Sequence, residues 1–415
     1  MAARWLILAD DLTGAADCAI AFGRRGRAAS VTWGDGVTAE PVPVLAYDAD
    51  SRGLAAEAAA QRHGEALGRL LEPDRVLFKK IDSTLRGQPA AETAATIAFL
   101  EARDGAAFGV FAPAFPATGR TTAEGRIRVA GRPLEEAEVW RRDHTYPSAD
   151  LVAVLASAGI AAETVGLETV RGANLAAALA EVATRGRAVA ICDAESEADV
   201  DRIAQASLAL PRTPFFIGSA GLAHALAAAS GTAAVPLPRI SPSAHGALIV
   251  VGSLAAASRA AARKLTAGES VVHLPVAPET LLGDTEGRAA LAAQAAAVLA
   301  AGGDALVEIA VDEAALDMTL GPRLARALAD ALEPLAPRIG ALAATGGETA
   351  AALLARFGVG GIRLVDEIEP GVSLGLTLGR LSIPIATKAG AFGDADSLIR
   401  IAERLRAVRT EGSFA

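Results

Sequence analysis

Cysteine, histidine, lysine and aromatic residues are all scarce in this chain of 415 residues. The two cysteines, Cys18 and Cys192, are isolated and lack metal-binding or redox spacing, which favours a reducing cytoplasm. The five histidines are scattered and none lies in an HExxH arrangement, so a His/Cys metal site is not expected. With aromatics at 4%, the core must consist of Ala, Leu, Val and Ile, which suits helices packed closely on a sheet.

The chain also lacks a basic run and a long apolar run. Its 39 basic and 48 acidic residues give a net charge of −9, which makes nucleic acid or an anionic membrane surface a poor partner. No stretch of about 18 uninterrupted apolar residues occurs, so no membrane span is expected. The apolar run in "MAARWLILADD" is cut short by two aspartates and is too short for a signal peptide. We therefore expect a cytoplasmic protein without nucleic-acid or membrane partners.

Several common nucleotide and catalytic motifs are missing as well. There is no GxxxxGK[ST], which excludes a Walker-type P-loop. The segment "GVGGIR" near Gly358 fails the G-x-G-x-x-G spacing, so a dinucleotide fold is poorly supported. Neither the HRD and DFG set of protein kinases nor a GxSxG nucleophile elbow occurs.

Short apolar runs alternate with longer amphipathic stretches along most of the chain. This pattern predicts an α/β protein of two domains, each a largely parallel sheet flanked by helices. The segment 114–147 is rich in Gly, Pro, Arg and Thr and predicts an irregular or hairpin-bearing insertion in the first domain. The segment 231–246 is rich in Pro, Ser and small residues and is the best linker candidate. We expect domains at 1–238 and 239–415.

Polar clusters follow many of the predicted strands. In open parallel sheets, ligands bind beyond the carboxyl ends of the strands, where loops enter helices. In the first half such clusters are "ADDLTG", "YDADSR", "KKIDSTLRG" and "APAFPATGRTT". In the second half they are "GSLAAAS", "TGGETA" and "TKAGAFGD". These loops are the candidate ligand sites.

The cluster "ADDLTG" has two structural interpretations and one functional rival. Asp11 or Thr13 can cap the following helix by accepting its free N–H groups. A cap does not explain Asp10, the second carboxylate directly beside the first. A phosphatase signature would place a nucleophilic Asp after strand one, but it needs D-x-D, whereas this chain has D-D-L-T-G.

The cluster "KKIDSTLRG" is notable for its lysines. The chain has only four lysines among its 39 basic residues, which leaves 35 arginines, and two of the four are Lys79 and Lys80. A lysine is a compact point charge that suits phosphate and hydroxyl-rich anions in tight spaces. Alternation along the strand points Lys79 to the opposite face from Lys80, so only Lys80 is expected to matter for catalysis. The structural alternative is a solvated strand end with a Ser, Thr or Asp cap. Lys264, inside a helix, is expected to be a surface residue.

The cluster "ATGGETA" places two glycines between a strand and a helix. Glycine lets a backbone approach a ligand closely, and helix N-terminal N–H groups favour phosphate. Glu348 could hold ribose hydroxyls or a metal, or merely interact favourably with the helix dipole. "VVGSLAAAS" has the same strand-Gly-Ser-helix form, and "TKAGAFGD" adds a lysine.

Taken in order, these clusters resemble the four-carbon acid sugar kinase family. The similarity runs from "ADDLTGAAD" through "DADSR", "KKIDSTLRG", "PAFPATGRTTAEGRIRVAGRPL" and "IGSAGLAHALA" to "TGGETA", "EIEPGVSLG" and "TKAGAFGD". The resemblance implies an N-terminal domain that binds the sugar acid and a C-terminal domain that binds ATP. It implies phosphorylation of the C4 hydroxyl of threonate, erythronate or 3-oxo-tetronate.

The resemblance also implies roles for single residues. Those implied to contact the sugar acid are Asp11, Arg52, Lys80, Asp82 and Ser83, with Arg52 pairing with its carboxylate. Those implied to contact ATP are Ser253, Gly346, Gly347, Glu348, Thr349 and Gly390, and we add Lys388 from its loop. The family usually has Ser-Pro and a Thr after the first ATP-loop "GS", where this chain has "GSLAAASRAA". Ser258 could replace the missing hydroxyl.

Phosphoryl transfer needs positioning, charge neutralisation and a group that accepts the hydroxyl proton. Asp10, Asp11 and Asp82 are the candidate bases, with Asp11 first. Lys80 and Arg86 would neutralise charge on the substrate or on the transferring phosphoryl group. Mg²⁺ would arrive with ATP, with protein ligands that the sequence does not identify. The partners are then a small sugar acid and ATP, and the chain's size and Ala-rich helices suggest a homodimer. The alternatives are a kinase of another small hydroxy acid and a non-catalytic sugar-acid-binding protein.

Overall fold

The computed structural model describes residues 3–36, 42–186, 188–232, 236–252, 255–310, 320–390 and 392–414. The chain divides into two units. The first consists of Met1–Ala28 and Val42–Ala234, and the second of Ala29–Pro41 and Val235–Ala415.

The strands are β1 (Arg4–Ala9), β2 (Ala29–Trp33), β3 (Val44–Asp48), β4 (Arg75–Lys80), β5 (Gly109–Ala112), β6 (Arg120–Ala123), β7 (Arg126–Val129), β8 (Arg132–Pro133), β9 (Ala162–Val165), β10 (Val189–Cys192), β11 (Phe215–Gly218), β12 (Ala247–Val251), β13 (Val272–Val276), β14 (Ala305–Ile309), β15 (Ala341–Thr345), β16 (Val359–Glu369), β17 (Val372–Gly379) and β18 (Pro384–Lys388).

The helices are α1 (Leu12–Gly23), α2 (Ala56–Leu70), α3 (Pro89–Asp104), α4 (Glu138–Arg142), α5 (Leu151–Ala156), α6 (Leu167–Arg171), α7 (Leu175–Thr184), α8 (Glu197–Leu208), α9 (Ala220–Ala229), α10 (Ala256–Ala267), α11 (Pro278–Gly283), α12 (Thr285–Ala300), α13 (Gly321–Leu332), α14 (Gly347–Arg356) and α15 (Ser397–Glu411).

The main sheet of the first unit is parallel and runs in the order β3-β1-β4-β11-β5-β10-β9. Four of its strands, β1, β5, β10 and β11, are short and almost wholly buried apolar runs, as expected when helices cover both faces of a sheet. The order matters for function because β3, β1 and β4 are neighbours, so the loops that follow them meet at one edge of the sheet.

The predicted insertion contains a small antiparallel sheet in the order β6-β7-β8, which confirms the hairpin. Its first turn has Glu124 and Gly125 at positive φ. The carboxylate of Asp193, just after β10, accepts the N–H groups of these two residues at 2.7 and 3.0 Å. The hairpin is therefore fastened to the carboxyl end of the main sheet.

The second unit combines parallel and antiparallel pairing. The strands β13-β14-β12-β15-β18 are parallel, and β17, β16 and β2 extend this sheet in antiparallel fashion. The carboxyl ends of β12, β15 and β18 are thus adjacent, which brings together the three predicted glycine-containing loops.

These observations confirm the α/β class, the largely parallel pairing of the main strands within each unit, and the insertion. The strand β2 pairs antiparallel with β16, far along the chain. Among the residues that the structure describes, no helix is both long enough and apolar enough to cross a membrane.

Candidate active site

Arg52 is the centre of the first candidate site. Its guanidinium donates Nε–H to Oδ2 of Asp10 at 2.8 Å and Nη2–H to Oδ1 of Asp10 at 3.0 Å. It also donates from Nη1 and Nη2 to the two carboxylate oxygens of Asp11, both at 2.8 Å. Arg52, in the loop after β3, therefore forms ion pairs with both carboxylates that follow β1. A planar guanidinium can do this, and a lysine cannot.

Asp10 is almost fully buried, with 2% of its side chain exposed. Burial alone would favour the neutral acid, but the Arg52 guanidinium outweighs it, with help from Lys80 and Lys79, and lowers the pKa of Asp10 to about 2. Arg52 in turn has its pKa raised well above its ordinary value, because Asp10 and Asp11 outweigh the cost of its burial. The pair is ionic at every physiological pH.

Asp11 has two structural tasks. Its Oδ1 accepts the N–H of Gly14 at 3.0 Å, and its Oδ2 accepts the hydroxyl of Thr13 at 2.8 Å. Asp11 is thus the N-cap of α1, as one of the two interpretations of "ADDLTG" predicts, and Thr13 supports it. The cap and the ion pair with Arg52 coexist, so capping does not exclude a role in chemistry.

Lys80 lies beside this cap. It is buried, and a Cβ atom on Gly14 would lie 2.7 Å from its Nζ and 2.4 Å from Oδ1 of Asp11. A side chain at position 14 would therefore displace the Lys80 amine or the Asp11 carboxylate. Lys79, by contrast, turns away and forms an ion pair at 2.7 Å with Glu92 of α3. The predicted alternation of the two lysines is confirmed.

Asp82 is tied into its own loop. It accepts the N–H of Thr84 at 3.2 Å, the hydroxyl of the same residue, and Nε–H and Nη2–H of Arg86 at 3.0 and 2.9 Å. Burial opposes its ionisation, but Arg86 outweighs burial and holds the pKa of Asp82 well below its usual range. Ser83 is buried in the same loop.

Gly87 closes this loop at a φ of +78°, in the left-handed region that favours glycine. A Cβ atom there would lie 3.0 Å from Oδ2 of Asp10. The loops after β1, β3 and β4 therefore form one packed set.

Lys264 is half exposed and pairs with Asp396 at 2.6 Å, which confirms it as a surface residue.

The second candidate site lies at the carboxyl ends of β12, β15 and β18. Gly346 has a φ of +91° and precedes α14, whose first turn contains Gly347, Glu348 and Thr349. A Cβ atom on Gly252 would lie 2.0 Å from Oγ1 of Thr349. Glycine is thus required where β12 ends, because the start of α14 packs against it. Ser253 lies outside the described residues.

Lys388 ends β18 and is 1% exposed. Its Nζ donates to Oγ of Ser258 at 3.1 Å and to the carbonyl of Ala389 at 3.3 Å. Ser258 in turn donates to the carbonyl of Gly390 at 2.9 Å. Burial lowers the pKa of Lys388 to about 8, although Glu369 partly opposes the shift. Ser258 therefore joins α10 to the loop of Lys388, which is a structural task for the hydroxyl noted in the sequence.

Two residues near the first site were not singled out in the sequence. Asp48 ends β3, is buried, and accepts the N–H of Asp50 at 2.7 Å; burial first, and then the neighbouring aspartates, raise the pKa of Asp48 well above its usual value. Arg120 lies at the start of β6, where burial lowers its pKa and the charge of Asp82 opposes that shift. Both belong to polar clusters at strand ends, so the position rule that found the other loops could have found them.

Two family models match this chain. A family model described as a sugar-binding N-terminal domain matches residues 5–226. A second, described as a nucleotide-binding C-terminal domain, matches residues 248–398.

Curated relatives match over nearly the whole chain. A D-threonate kinase from Cupriavidus necator is 43% identical, over 95% of this chain and 96% of its own. A D-threonate kinase from Bordetella bronchiseptica is 37% identical, over 96% and 97%. A D-erythronate kinase from Heliobacterium modesticaldum is 27% identical, over 94% of both chains.

Among solved structures, a protein from Salmonella typhimurium LT2 that carries a provisional tRNA-synthase name has a similar fold. Its TM-score is 0.79 at 22% identity, covering 96% of this chain and 98% of that one. At this identity the likeness concerns the fold alone.

Proposed function

The chain belongs to the four-carbon acid sugar kinase family, and we propose that it transfers the γ-phosphoryl group of ATP to the C4 hydroxyl of a four-carbon sugar acid. It is a phosphotransferase with an alcohol acceptor. The observation that carries the choice of substrate is the full-length 43% identity to a D-threonate kinase, so D-threonate is the first acid to test. Erythronate and 3-oxo-tetronate are the other candidates.

We propose that the first unit binds the acid and that the second binds ATP, in line with the descriptions of the two matching family models. In the first unit, three cations (Arg52, Lys80 and Arg86) accompany three carboxylates (Asp10, Asp11 and Asp82). Four of the five N–H groups of Arg52 are used by Asp10 and Asp11. The fifth, on Nη1, is the one that the substrate carboxylate would take.

The best candidate for the base is Asp11. Asp10 and Asp82 both have lowered pKa values, to about 2 and well below the usual range respectively, which makes them weak proton acceptors. The side chain of Asp11 is 15% exposed, against 2% for Asp10 and 11% for Asp82. Asp11 is thus the most accessible of the three. Lys80, beside the same cap, would neutralise charge that develops on the attacking oxygen or the phosphoryl group.

The second unit offers the features that a triphosphate needs. The backbone at Gly346 and Gly347 leads into the N-terminus of α14, and helix N-termini favour phosphate oxygens. Thr349 and Gly390 lie on the same edge of the sheet, and Lys388 would place a point charge there. Mg²⁺ would neutralise phosphate charge, with Glu348 as the candidate oxygen ligand from the protein. The family resemblance adds Ser253 as a further residue that we propose contacts ATP.

The test is ATP consumption by the purified protein in the presence of Mg²⁺, with D-threonate, D-erythronate, L-threonate and 3-oxo-tetronate offered separately. We expect turnover that depends on the acid, with D-threonate preferred. Turnover with none of the four, together with intact binding of an acid, would favour the non-catalytic alternative. Turnover only with some other small hydroxy acid would keep the kinase and change its substrate. Light scattering on the same sample tests the homodimer, which we retain as a proposal.

A further inference from the structure

Four polar side chains of the first unit form a buried network directly behind the proposed acid site. They are Ser51 in the loop after β3, His63 of α2, Lys79 of β4 and Glu92 of α3. Ser51, His63 and Lys79 are 0% exposed, and Glu92 is 1% exposed. Burying polar groups is costly unless they bond to one another, so the contacts within the network decide whether it is stable.

Glu92 is the hub of this network. Its Oε2 lies 2.7 Å from Nζ of Lys79, and its Oε1 accepts the hydroxyl of Ser51 at 2.7 Å. Lys79 also donates to the carbonyl of Lys80 at 2.6 Å. The one positive and one negative charge compensate each other, and Glu92 lies in the first turn of α3, where the helix dipole favours an anion.

The hydrogen bonds also fix the tautomer of His63. The hydroxyl of Ser51 has one hydrogen, which goes to Glu92, so Nε2 of His63 must be the donor in its 3.0 Å contact with Ser51. The other ring nitrogen, Nδ1, has no hydrogen-bond partner among the described residues. Burial first, and then the charge of Lys79, lower the pKa of His63 well below its usual value. The ring is neutral, and the network therefore keeps a net charge of zero.

The network is joined to the site at two places, and at each place the two residues involved are consecutive in the sequence. Ser51 bonds into the network, while the next residue, Arg52, grips Asp10 and Asp11. The N–H groups of Ser51 and Arg52 both donate to the carbonyl of Asp10, at 3.1 and 3.2 Å. The same alternation occurs in β4, where Lys79 joins the network and Lys80 lies beside the cap of α1.

On the basis of the proposed function, we infer that Ser51, His63, Lys79 and Glu92 are positioning residues that hold Arg52 and Lys80 in their catalytic geometry. A network that only stabilised the fold would not need to contain two residues, Ser51 and Lys79, that are each followed directly in the sequence by a residue of the site. A small displacement of Arg52 matters because misplacement by about 1 Å can lower a rate by as much as about 100-fold.

The test uses two variants and one matched control in the full-length protein. Ser51→Ala removes the hydroxyl between His63 and Glu92 but leaves the ion pair. Glu92→Gln keeps an acceptor for Ser51 and removes the charge. The control is Asp199→Asn, which weakens another buried carboxylate of the same unit, paired with Arg171 at 2.8 Å. For each protein we would measure kcat per folded molecule and KM for the acid and for ATP. We would also measure the melting temperature and the crystallographic position of Arg52.

We expect Ser51→Ala to fold, to lose about 10-fold in kcat and to keep its KM for ATP, while Asp199→Asn keeps its kcat. If Ser51→Ala keeps kcat within about twofold of wild type, the positioning role is wrong, whether or not Glu92→Gln folds. If the wild-type protein turns over none of the acids, the proposed function has failed separately. The crystallographic position of Arg52 then tests the inference without turnover. Displacement of Arg52 from Asp10 and Asp11 in Ser51→Ala supports the inference, and an unchanged position overturns it.

Discussion

Arg52 and Asp11 form a two-point ion pair in which Nη1 and Nη2 each donate to a different carboxylate oxygen at 2.8 Å. The same carboxylate caps α1 by accepting the N–H of Gly14 at 3.0 Å. One side chain thus fixes the start of a helix relative to the guanidinium that we assign to the substrate. Geometry of this kind is what phosphoryl transfer requires of a protein.

Replacing Asp11 with asparagine tests its role as the base. Asparagine also caps helices, so Asp11→Asn keeps the cap and removes the proton acceptor. We expect turnover to fall by about 10² to 10⁴-fold, while ATP binding, measured by calorimetry, persists. The matched control is Asp150→Asn, which changes the carboxylate that caps α5 through the N–H of Ala153 and should leave turnover unchanged. Wild-type activity in Asp11→Asn would assign the base elsewhere.

The buried ion pair of Asp10 predicts a pH dependence of stability. The pKa of Asp10 is lowered to about 2 in the folded chain from its ordinary 3.8. Its ionisation therefore stabilises the fold above pH 3.8, by about 2 kcal/mol, and this stability is lost as the pH falls through about 2. The free energy of unfolding should accordingly differ more between wild type and Asp10→Asn at pH 7 than at pH 3. Denaturant unfolding at both pH values measures this, and a constant difference would show that Asp10 is not held ionised.

Lys388 predicts a pH dependence of nucleotide binding. Its pKa of about 8 means that it is charged below this pH and increasingly neutral above it. If it contacts phosphate, ATP should bind more weakly at pH 9 than at pH 7, with the midpoint raised by the bound phosphate. Lys388→Met should bind ATP weakly at both pH values. Binding of a fluorescent ATP analogue gives the measurement, and equal pH dependence in the two proteins would remove Lys388 from the nucleotide site.

Replacing two glycines that have the same φ distinguishes the effect of backbone strain from the effect of altered site geometry. Gly87 and Gly105 both have a φ of +78°. A Cβ atom on Gly87 would lie 3.0 Å from Asp10, whereas one on Gly105 has nothing within 4 Å. Each alanine variant should lose about 1–2 kcal/mol of stability from backbone strain, but only Gly87→Ala should also lose turnover. Equal turnover in the two variants would show that the contact with Asp10 is unimportant for catalysis.

Much of the fold follows from local patterns in the sequence. The uninterrupted apolar runs predict β1 and β12 well, because a strand buried on both faces needs apolar residues throughout. The hairpin β16–β17 was missed, since "VGGIRLVDEIE" mixes two glycines with four charged residues and lacks a clear period. The partner of β2 was also missed, because pairing with β16 is a contact between distant segments that no local pattern encodes.

The geometry of the site is likewise only partly predictable from local sequence patterns. The rule for strand ends brought Asp10, Asp11, Arg52 and Asp82 to one edge of the sheet. It could not show that Arg52 would be occupied by the two aspartates, because their mutual distances depend on the order β3-β1-β4. Glu92 lies in α3, outside the polar clusters at strand ends, and could not be recognised from the sequence for a related reason. Its importance lies in the buried charge of Lys79 that it neutralises.

Identifying the product formed from ATP and D-threonate tests the proposed phosphorylation of the C4 hydroxyl. In ³¹P NMR of the reaction with Mg²⁺ present, we expect ADP and one new phosphomonoester, whose phosphorus couples to the two protons on C4. Inorganic phosphate as the only new signal besides ADP, or no change in the spectrum of ATP with any of the four-carbon acids, would show that the protein does not phosphorylate C4 of these acids.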